Sequence, residues 1–501
     1  MRMGKIIRAV TGIVLCGAGF VLAVPSIYHE RLYVIDAGGC RLETTIVEPQ
    51  GGPASGSVIL LHGLAANKKV MSYIAHSFAG QKLRVFVPDL PGHGRSAEPF
   101  SPARVQKCTE GMLQELLQRG VVTADRTILA GHSMGAALAM RVAAHVPVAG
   151  VIAISPAPSR TAYGVQTEML LWSDPSPLPP NTLVISGGLE FESMRGNARE
   201  LLQSSADGSS KLLLIPWASH GGLLLNSRML RASEEWASHL LHLEPSIVLP
   251  SQWPLLGSLI GFLGLLLLAG PFLREILGKK TTEEAASSGH VSIVRGLMEA
   301  GLVSLAAVGT LKYWNPLNFL HIFEGSYLAS FFLLVGVALL GFHARSLLPL
   351  LSKDKPTKVL VTACAALALF ILIAAWFDLT IFEAWLGKAR WVRFPVFLIA
   401  VLPYHLAEEF FLQPYRKRAS SCLLVIFSFR LLLWAALCLG ILKLHSGEIL
   451  FALMAPYFFL LFLLQQMGVN VVRQETGSVT AAAMFGAILL AGFSLVIFPV
   501  T

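Results

Sequence analysis

The chain has 501 residues, of which 54% are hydrophobic and only 14% are charged. Soluble proteins carry about 25% charged residues, so this composition excludes a wholly soluble globular protein. The formal net charge of +9 does not indicate a nucleic-acid partner, because the basic residues are scattered and cluster beside apolar runs, as is typical of membrane orientation.

The N-terminus has the form of a signal sequence. Three basic residues precede an apolar run over about residues 9–24. Pro25 follows the run directly and makes a poor cleavage site. We therefore expect residues 1–29 to form an uncleaved signal anchor. Whether or not the segment is cleaved, it directs the next domain across the membrane.

Residues 30–245 have ordinary polar content and alternate between strand and helix patterns. The predicted strands are 31–35, 41–47, 58–61, 83–87, 127–130, 151–154, 183–185 and 212–215. The predicted helices are 66–79, 102–119, 135–145, 194–206 and 221–241. The first two strands form a hairpin, and the later βα alternation predicts an α/β fold with a mostly parallel sheet covered on both faces.

From residue 254 onward, eight apolar segments are long enough to span a bilayer, which takes about 20 residues. They lie at about 254–273, 291–311, 326–343, 358–377, 394–413, 421–441, 448–469 and 477–499. Lys and Arg cluster at the segment ends on the side of the N-terminus, which places the α/β domain outside the cytoplasm. The predicted order is therefore anchor 1–29, α/β domain 30–245, linker 246–253 and an all-α polytopic membrane domain 254–501.

A Gly-x-Ser-x-Gly motif lies between a strand and a helix of the α/β domain. Its residues are Gly131-His132-Ser133-Met134-Gly135. A strand-to-helix turn of this kind exposes the serine hydroxyl, and the glycines permit the tight backbone. The amide of Met134 opens the helix, where it has no intrahelical acceptor and can face an anion.

The chain also supplies partners for a nucleophilic serine. Such a serine needs a histidine base and an acid that orients the histidine. Glu190 and His220 each follow a predicted strand, and the carboxyl ends of parallel strands meet at one edge of a sheet. After the strand at 58–61, the amide of Leu64 is the natural second donor to an oxyanion.

These pieces resemble the α/β-hydrolase superfamily, in its serine aminopeptidase and lysophospholipase-like branch, over residues 30–245. The matching segments are Leu61-His62-Gly63, Asp89-Leu90-Pro91-Gly92-His93-Gly94-Arg95-Ser96, Gly131-His132-Ser133-Met134-Gly135 and Ser219-His220-Gly221-Gly222. The resemblance implies a nucleophile at Ser133, an acid at Glu190, a base at His220, and oxyanion amides at Leu64 and Met134.

The chain departs from many relatives in two ways. Those relatives have Asp where this chain has Glu190, so Glu192 and Asp174 remain alternative acids. Relatives also often insert a large cap after the strand that ends near residue 155. Here only about 25 residues intervene, with Tyr163, Met169 and Trp172, and such a short lid predicts an open cleft.

Two of the six cysteines lie in the α/β domain. Cys40 and Cys108 can form a disulfide if this domain occupies an oxidising compartment, but two unpaired thiols are at least as strongly favoured by the sequence. No Cys/His spacing typical of a metal site occurs, and we expect no metal or cofactor.

The span at 394–413 carries ionisable residues on one helical face, at His405, Glu408 and Glu409. The Glu-Glu pair faintly resembles the membrane-embedded CAAX proteases, but Gln413 replaces the arginine of that family. A buried polar cluster with Arg430 and Gln465 or Gln466 is the favoured interpretation. A relay or transport role and a second hydrolytic site remain alternatives.

The leading hypothesis is a membrane-anchored, extracytoplasmic serine hydrolase that cleaves an ester, thioester or amide through an acyl-enzyme. Predicted membrane segments precede and follow the α/β domain in the sequence, which favours an acyl-lipid substrate. Lys388, Arg390 and Arg393 are candidates to hold a lipid phosphate. The alternatives are an acyltransferase with the same three residues, and a transporter or scaffold with a regulatory hydrolase-like domain. The oligomeric state stays open.

Overall fold

A computed structural model describes residues 2–24, 29–49, 51–157, 173, 177–205, 208–244, 249–278, 292–352, 354–415, 419–444 and 450–501. The chain divides into two compact units. One, here called the sheet unit, comprises Leu22–Leu256, Phe377–Glu383 and Pro499–Thr501. The other, the helical unit, comprises Met1–Val21, Gly257–Trp376 and Ala384–Phe498.

The sheet unit is built on eight strands in the spatial order β1-β2-β4-β3-β5-β6-β7-β8. They are β1 (Glu30–Ala37), β2 (Cys40–Val47), β3 (Gly56–Leu61), β4 (Leu83–Pro88), β5 (Thr127–His132), β6 (Gly150–Ile154), β7 (Thr182–Gly187) and β8 (Lys211–Ile215). The β1–β2 hairpin is antiparallel and joins β4 in antiparallel fashion, whereas all later pairs are parallel. The predicted α/β fold with a mostly parallel sheet is thus confirmed.

The central strands are buried along their whole length because helices cover both faces of the sheet. Every residue of β3, β5, β6 and β7 is buried, which explains their continuous apolar sequences. Val58 of β3 lies opposite Val85 on one side and Ile128 on the other, and this register fixes the core. On one face, Phe78 and Trp236 pack in the same apolar cluster as Val58.

Five helices flank the sheet: α2 (Ser72–Gly80), α3 (Pro102–Gln118), α4 (Met134–Ala143), α5 (Glu192–Gln203) and α6 (Ser227–Leu241). Two of them begin later than the sequence predicts, α2 at Ser72 and α6 at Ser227. Asn67 caps a short 3-10 turn, Lys68–Met71, that precedes α2, and Asn226 caps α6. A capping side chain satisfies amides that a helix cannot, so it fixes where the helix begins.

A disulfide joins Cys40 of β2 to Cys108 of α3. Both residues are buried, and the bridge fastens the hairpin end of the sheet to its covering helix. The structure therefore decides between the two alternatives that the sequence left open.

Two short segments from distant parts of the chain complete the sheet unit. The amide of Phe100 donates to the carbonyl of Val500 at 2.7 Å, and the amide of Val500 donates to the carbonyl of Gly92 at 3.1 Å. The segment Phe377–Glu383 is the other one. Both segments lie within the range 254–501 that the sequence predicts to be the membrane domain.

The helical unit contains α1 (Arg2–Ala23), α7 (Trp253–Leu277), α8 (Ile293–Leu311), α9 (Gly325–Leu351), α10 (Pro356–Leu379), α11 (Lys388–Leu412), α12 (Ala419–Leu444), α13 (Leu450–Thr476) and α14 (Val479–Ile497). These are the nine helices in the described part of the chain that are long and apolar enough to cross a membrane. This count indicates a multi-pass membrane protein.

Four ionisable side chains buried in the helical unit form two ion pairs, Glu408–Arg430 and Glu409–Arg473. Arg430 donates to both carboxylate oxygens of Glu408, at 2.8 and 2.9 Å, and the hydroxyl of Tyr404 also donates to Glu408. Arg473 donates to Glu409 through Nε, at 2.8 Å from Oε2, and through Nη2, which binds Oε1. Pairing of this kind offsets the cost of buried charge in an apolar setting. Arg430 was a predicted member of this cluster, and Arg473 was not.

Candidate active site

Ser133 lies at a sharp turn between β5 and α4. Its φ of +55° is in the left-handed region, which is strained for a residue with a side chain. A Cβ on Gly131 would lie 2.2 Å from the carbonyl oxygen of Gly135, and one on Gly135 would lie 2.2 Å from that of Leu61. Only glycine fits at these two positions, so the spacing seen in the sequence has a steric cause.

The loop after β3 passes beside this serine. A Cβ on Gly63 would lie 3.2 Å from the Cβ of Ser133, so the two backbones are close. Leu64 directly follows Gly63, and Met134 opens α4, where the first amides have no intrahelical acceptor. Leu64 thus follows a residue that is close to Ser133, and Met134 follows Ser133 itself. The two amides that are predicted to bind an oxyanion therefore both belong to residues near the serine.

Glu190 and His220 meet at the carboxyl edge of the sheet. The Nδ1 of His220 lies 3.0 Å from Oε1 of Glu190. The other carboxylate oxygen of Glu190 accepts from the hydroxyl of Ser186 at 2.5 Å and from the amide of Gly187 at 2.8 Å. The hydroxyl of Ser155 donates to Oε1 of Glu190 and lies 2.6 Å from Nδ1 of His220.

These hydrogen bonds keep Glu190 ionised. Burial alone would raise the pKa of Glu190, but hydrogen bonds from His220, Ser155, Ser186 and the Gly187 amide outweigh it and lower the pKa from 4.5 to about 2. A carboxylate can only accept, so Nδ1 of His220 must carry the proton in this pair. The unprotonated Nε2 is then available as a base.

His132 links the serine turn to the His220 loop. Its ring centroid lies 4.7 Å from that of His220, and its Nε2 donates to the His220 carbonyl at 3.0 Å. Burial, with repulsion from His220, lowers the pKa of His132 to about 3, so this ring is neutral near pH 7. The contact ties two elements that are far apart in sequence and brings Ser133 next to the histidine loop.

The Alpha/beta hydrolase family model matches residues 58–295. This match confirms the resemblance to the α/β hydrolases that the sequence motifs predict. The match begins in β3 and includes the elements that present Ser133, Glu190 and His220.

Curated relatives match a shorter stretch. An uncharacterized protein of Mycobacterium tuberculosis is 34% identical over 96 residues, 19% of this chain and 26% of that protein. Lipase 1 of Psychrobacter immobilis is 35% identical over 98 residues, 19% of this chain and 30% of the lipase. Esterase YjfP of Escherichia coli is 31% identical over 100 residues, 18% and 40% respectively. The chain thus spans less than half the length of each of these relatives.

Solved structures of similar proteins include a serine hydrolase without a lid from Xanthomonas campestris. It is 20% identical, with a TM-score of 0.34, and the alignment covers 44% of this chain and 96% of that one. Dienelactone hydrolase from Anabaena variabilis is 19% identical, with a TM-score of 0.34, and the alignment covers 43% and 99%.

The alternative acids differ in what the structure shows of them. Glu192 is exposed at the start of α5, where its carboxylate pairs with Arg195 and, at 3.1 Å, with Arg199. Asp174 lies outside the described residues, as do the lid residues Tyr163, Met169 and Trp172. Among the described carboxylates, Glu190 is the one that the structure pairs with His220.

The predicted headgroup residues belong to the helical unit, in the first turns of α11 and not in a loop. Lys388 is exposed. Arg390 is buried and donates to the Phe498 carbonyl at 3.5 Å, and Arg393 donates to the Leu320 carbonyl at 2.5 Å. A contact of these three residues with a lipid phosphate stays a prediction.

Three residues around Glu190 and His220 were not among the predicted site residues, namely His132, Ser155 and Ser186. Ser155 directly follows β6, and Ser186 is the next-to-last residue of β7. The rule that led to Glu190 and His220, that sites form where parallel strands end, would have led to both serines as well. Within the described residues, no group of three or more His, Cys, Asp or Glu could hold a metal ion.

Acid stability provides a test of the Glu190 environment. The folded-state pKa of about 2 lies below the ordinary 4.5, so the stabilisation is present above pH 4.5 and is lost as the pH falls toward 2. Its size is on the order of 3 kcal/mol. We expect Glu190→Gln to lose less stability than the wild type over this range, measured by thermal unfolding of the full chain in detergent. Glu200→Gln, at an exposed site on α5, should follow the wild type, and equal slopes for all three proteins would contradict the assignment.

The contribution of Ser155 is testable by kinetics. Ser155→Ala removes one hydrogen bond to Glu190 and a contact to His220. A lost hydrogen bond to a charged group of about 1.5 kcal/mol corresponds to about tenfold in rate, so we expect kcat for a short-chain ester to fall about tenfold with KM little changed. Ser204→Ala, whose hydroxyl bonds only a helical carbonyl among the described contacts, is the matched control. A Ser155→Ala kcat within twofold of wild type would show that this serine does not support the pair.

Proposed function

We propose that this protein is a membrane-anchored serine hydrolase whose sheet unit lies outside the cytoplasm. It cleaves an ester, thioester or amide bond of an acyl lipid through an acyl-enzyme. The observation on which the proposal rests is the pairing of His220 with a hydrogen-bonded Glu190, beside a serine on a strained strand-to-helix turn.

In the first half-reaction, Oγ of Ser133 attacks the acyl carbonyl while Nε2 of His220 takes the hydroxyl proton. The amides of Leu64 and Met134 donate to the oxyanion of the tetrahedral intermediate. The intermediate collapses, the bond to the leaving group breaks, and His220 returns the proton to that group. Glu190, ionised and hydrogen-bonded to Nδ1, stabilises the imidazolium that exists between these steps.

In the second half-reaction, water attacks the acyl-serine while His220 again takes a proton. Collapse of the second tetrahedral intermediate returns this proton to Ser133 and releases the acid. The relatives named as a lipase and an esterase support an ester as the substrate class.

Exposed apolar residues around the site support an acyl substrate. Leu189 and Phe191 flank Glu190, and they are 58% and 55% exposed. Trp217, in the loop that ends at His220, is 86% exposed. Large apolar side chains in such positions provide the surface that an acyl chain can cover.

Two observations support a location outside the cytoplasm. Lys and Arg lie mainly at those ends of the predicted spans that share a side with the N-terminus. The sheet unit also contains the Cys40–Cys108 disulfide, and disulfides persist in oxidising compartments. The free cysteines among the described residues, Cys16, Cys364, Cys422 and Cys438, belong to the helical unit.

Removal of the nucleophile tests the proposal directly. We expect Ser133→Ala to lower the hydrolysis of a p-nitrophenyl ester on the order of 10³-fold or more, because the acyl-enzyme cannot form. The assay uses membranes that contain equal amounts of wild-type protein, Ser133→Ala and the control Ser204→Ala. Full activity in Ser133→Ala would refute the proposed function.

Substrate chain length tests the acyl preference. Trp217→Ala should raise KM for a long-chain ester by about 30-fold, because about 2 kcal/mol of apolar contact is lost, and leave KM for a butyrate ester within about twofold. The measurement compares the KM ratio of the two esters in wild type and variant. An unchanged ratio would remove the support that Trp217 gives to an acyl-lipid substrate.

A further inference from the structure

A buried charge cluster lies next to the proposed oxyanion loop. The ammonium of Lys68 binds the carboxylate of Asp89 and lies 2.5 Å from Oε1 of Glu383. The side chains of Lys68, Asp89 and Glu383 are 3%, 0% and 2% exposed. All three residues belong to the sheet unit, although Glu383 lies between α10 and α11 in sequence.

Glu383 holds the downstream end of the loop that carries Leu64. Its carboxylate binds Lys68, and its backbone carbonyl accepts from the side-chain amide of Asn67 at 3.4 Å. Ala65, just after Leu64, has a φ of +60°, which is unfavourable for alanine. A strained backbone of this kind persists only when its surroundings fix it.

The upstream end of the same loop is held separately. Nε2 of His62 accepts from the amide of Leu90 at 3.0 Å, and Nδ1 lies 2.9 Å from the Gly63 carbonyl, to which it donates. Asp89 adds a link to the downstream end, since its Oδ1 accepts from the amide of Lys68 at 3.0 Å. Residues 62–68 are therefore fastened at both ends, and Glu383 supplies a contact from outside the β3 and β4 loops.

The charges of the cluster balance when Glu383 is protonated. Burial, with the charge of Asp89 and a hydrogen bond to it, raises the pKa of Glu383 to about 8. Burial alone would lower the pKa of Lys68, but Asp89 and Glu383 outweigh it and raise the pKa. These three side chains then comprise one cation, one anion and one neutral acid near pH 7. Arg95 and Glu43, which are more exposed, lie at the edge of the cluster, 3.6 Å from Oε1 of Glu383 and 4.0 Å from Nζ of Lys68. Such a balance avoids an uncompensated buried charge.

We propose that Glu383 is a positioning residue for the proposed oxyanion donor Leu64, acting through Lys68 and Asn67. The inference rests on the proposed function, since it assigns Glu383 to the same reaction. The same inference assigns a role to the segment Phe377–Glu383. The hydrolase reaches its full rate only when this segment is packed in the sheet unit.

The test compares Glu383→Ala with Glu383→Gln in the full chain. Glutamine can accept from Lys68 and donate to Asp89, as a protonated glutamate does, so we expect its kcat to stay within about threefold of wild type. Alanine removes both contacts, and a misplaced donor costs on the order of 10- to 100-fold in kcat with little change in KM. Glu115→Ala, at a surface ion pair on α3, is the control and should match the wild type.

A second readout separates positioning from a general loss of structure. A trifluoromethyl ketone forms a tetrahedral adduct with the serine, so its Ki should rise in Glu383→Ala by the same factor by which kcat/KM falls. All rates are normalised to the folded fraction measured by thermal unfolding. A loss of activity that follows the folded fraction alone would contradict the positioning role.

Asn67→Ser provides a variant that keeps the cluster charges. Serine retains an oxygen for the cap but cannot reach the Glu383 carbonyl, so kcat should fall about threefold to tenfold with KM little changed. If Ser133→Ala is inactive while Glu383→Ala and Asn67→Ser both keep kcat within twofold of wild type, the inference is wrong and the proposed function stands. If Ser133→Ala keeps full activity, the proposed function itself is wrong.

Discussion

The close approach of backbones around Ser133 is the constraint on which the rest of the site depends. Gly131, Gly135 and Leu61 come so near one another that no Cβ fits at either glycine. The chain can turn from β5 into α4 only at this point, and the turn leaves Ser133 at a positive φ. The strain is sustained because β5 lies in the middle of a buried sheet, with β3 and β6 fixed on either side.

Four of the buried carboxyl groups that the structure describes, those of Glu190, Asp89, Glu383 and Glu408, each have a hydrogen-bonding or charged side chain as a close partner. Glu190 is surrounded by donors, which keeps its pKa low and lets it orient His220. Asp89 and Glu383 share the ammonium of Lys68, and Glu408 accepts two hydrogen bonds from Arg430. In each case the acid has a partner whose position it also fixes, so removal of the acid would leave that partner buried and unpaired.

The sequence predicts those parts of the structure that local patterns encode. Eight strands, the order of Ser133, Glu190 and His220, and the long apolar helices follow from periodicity, strand ends and segment length. Helix starts differ where a side chain such as Asn67 caps a turn, since capping depends on the loop geometry. Glu383 and Val500 escape prediction because nothing in their neighbourhood in sequence distinguishes them, and only the tertiary fold brings them to the β4 loop.

The most direct test of the central claim locates the covalent adduct. The full-length protein in membranes is treated with a fluorophosphonate, digested, and analysed by peptide mass spectrometry. The account predicts a single modified residue, Ser133, and loss of the adduct in Glu190→Ala and His220→Ala as the serine loses its activated state. An adduct on another serine, such as Ser155, with Ser133 unmodified, would contradict the account.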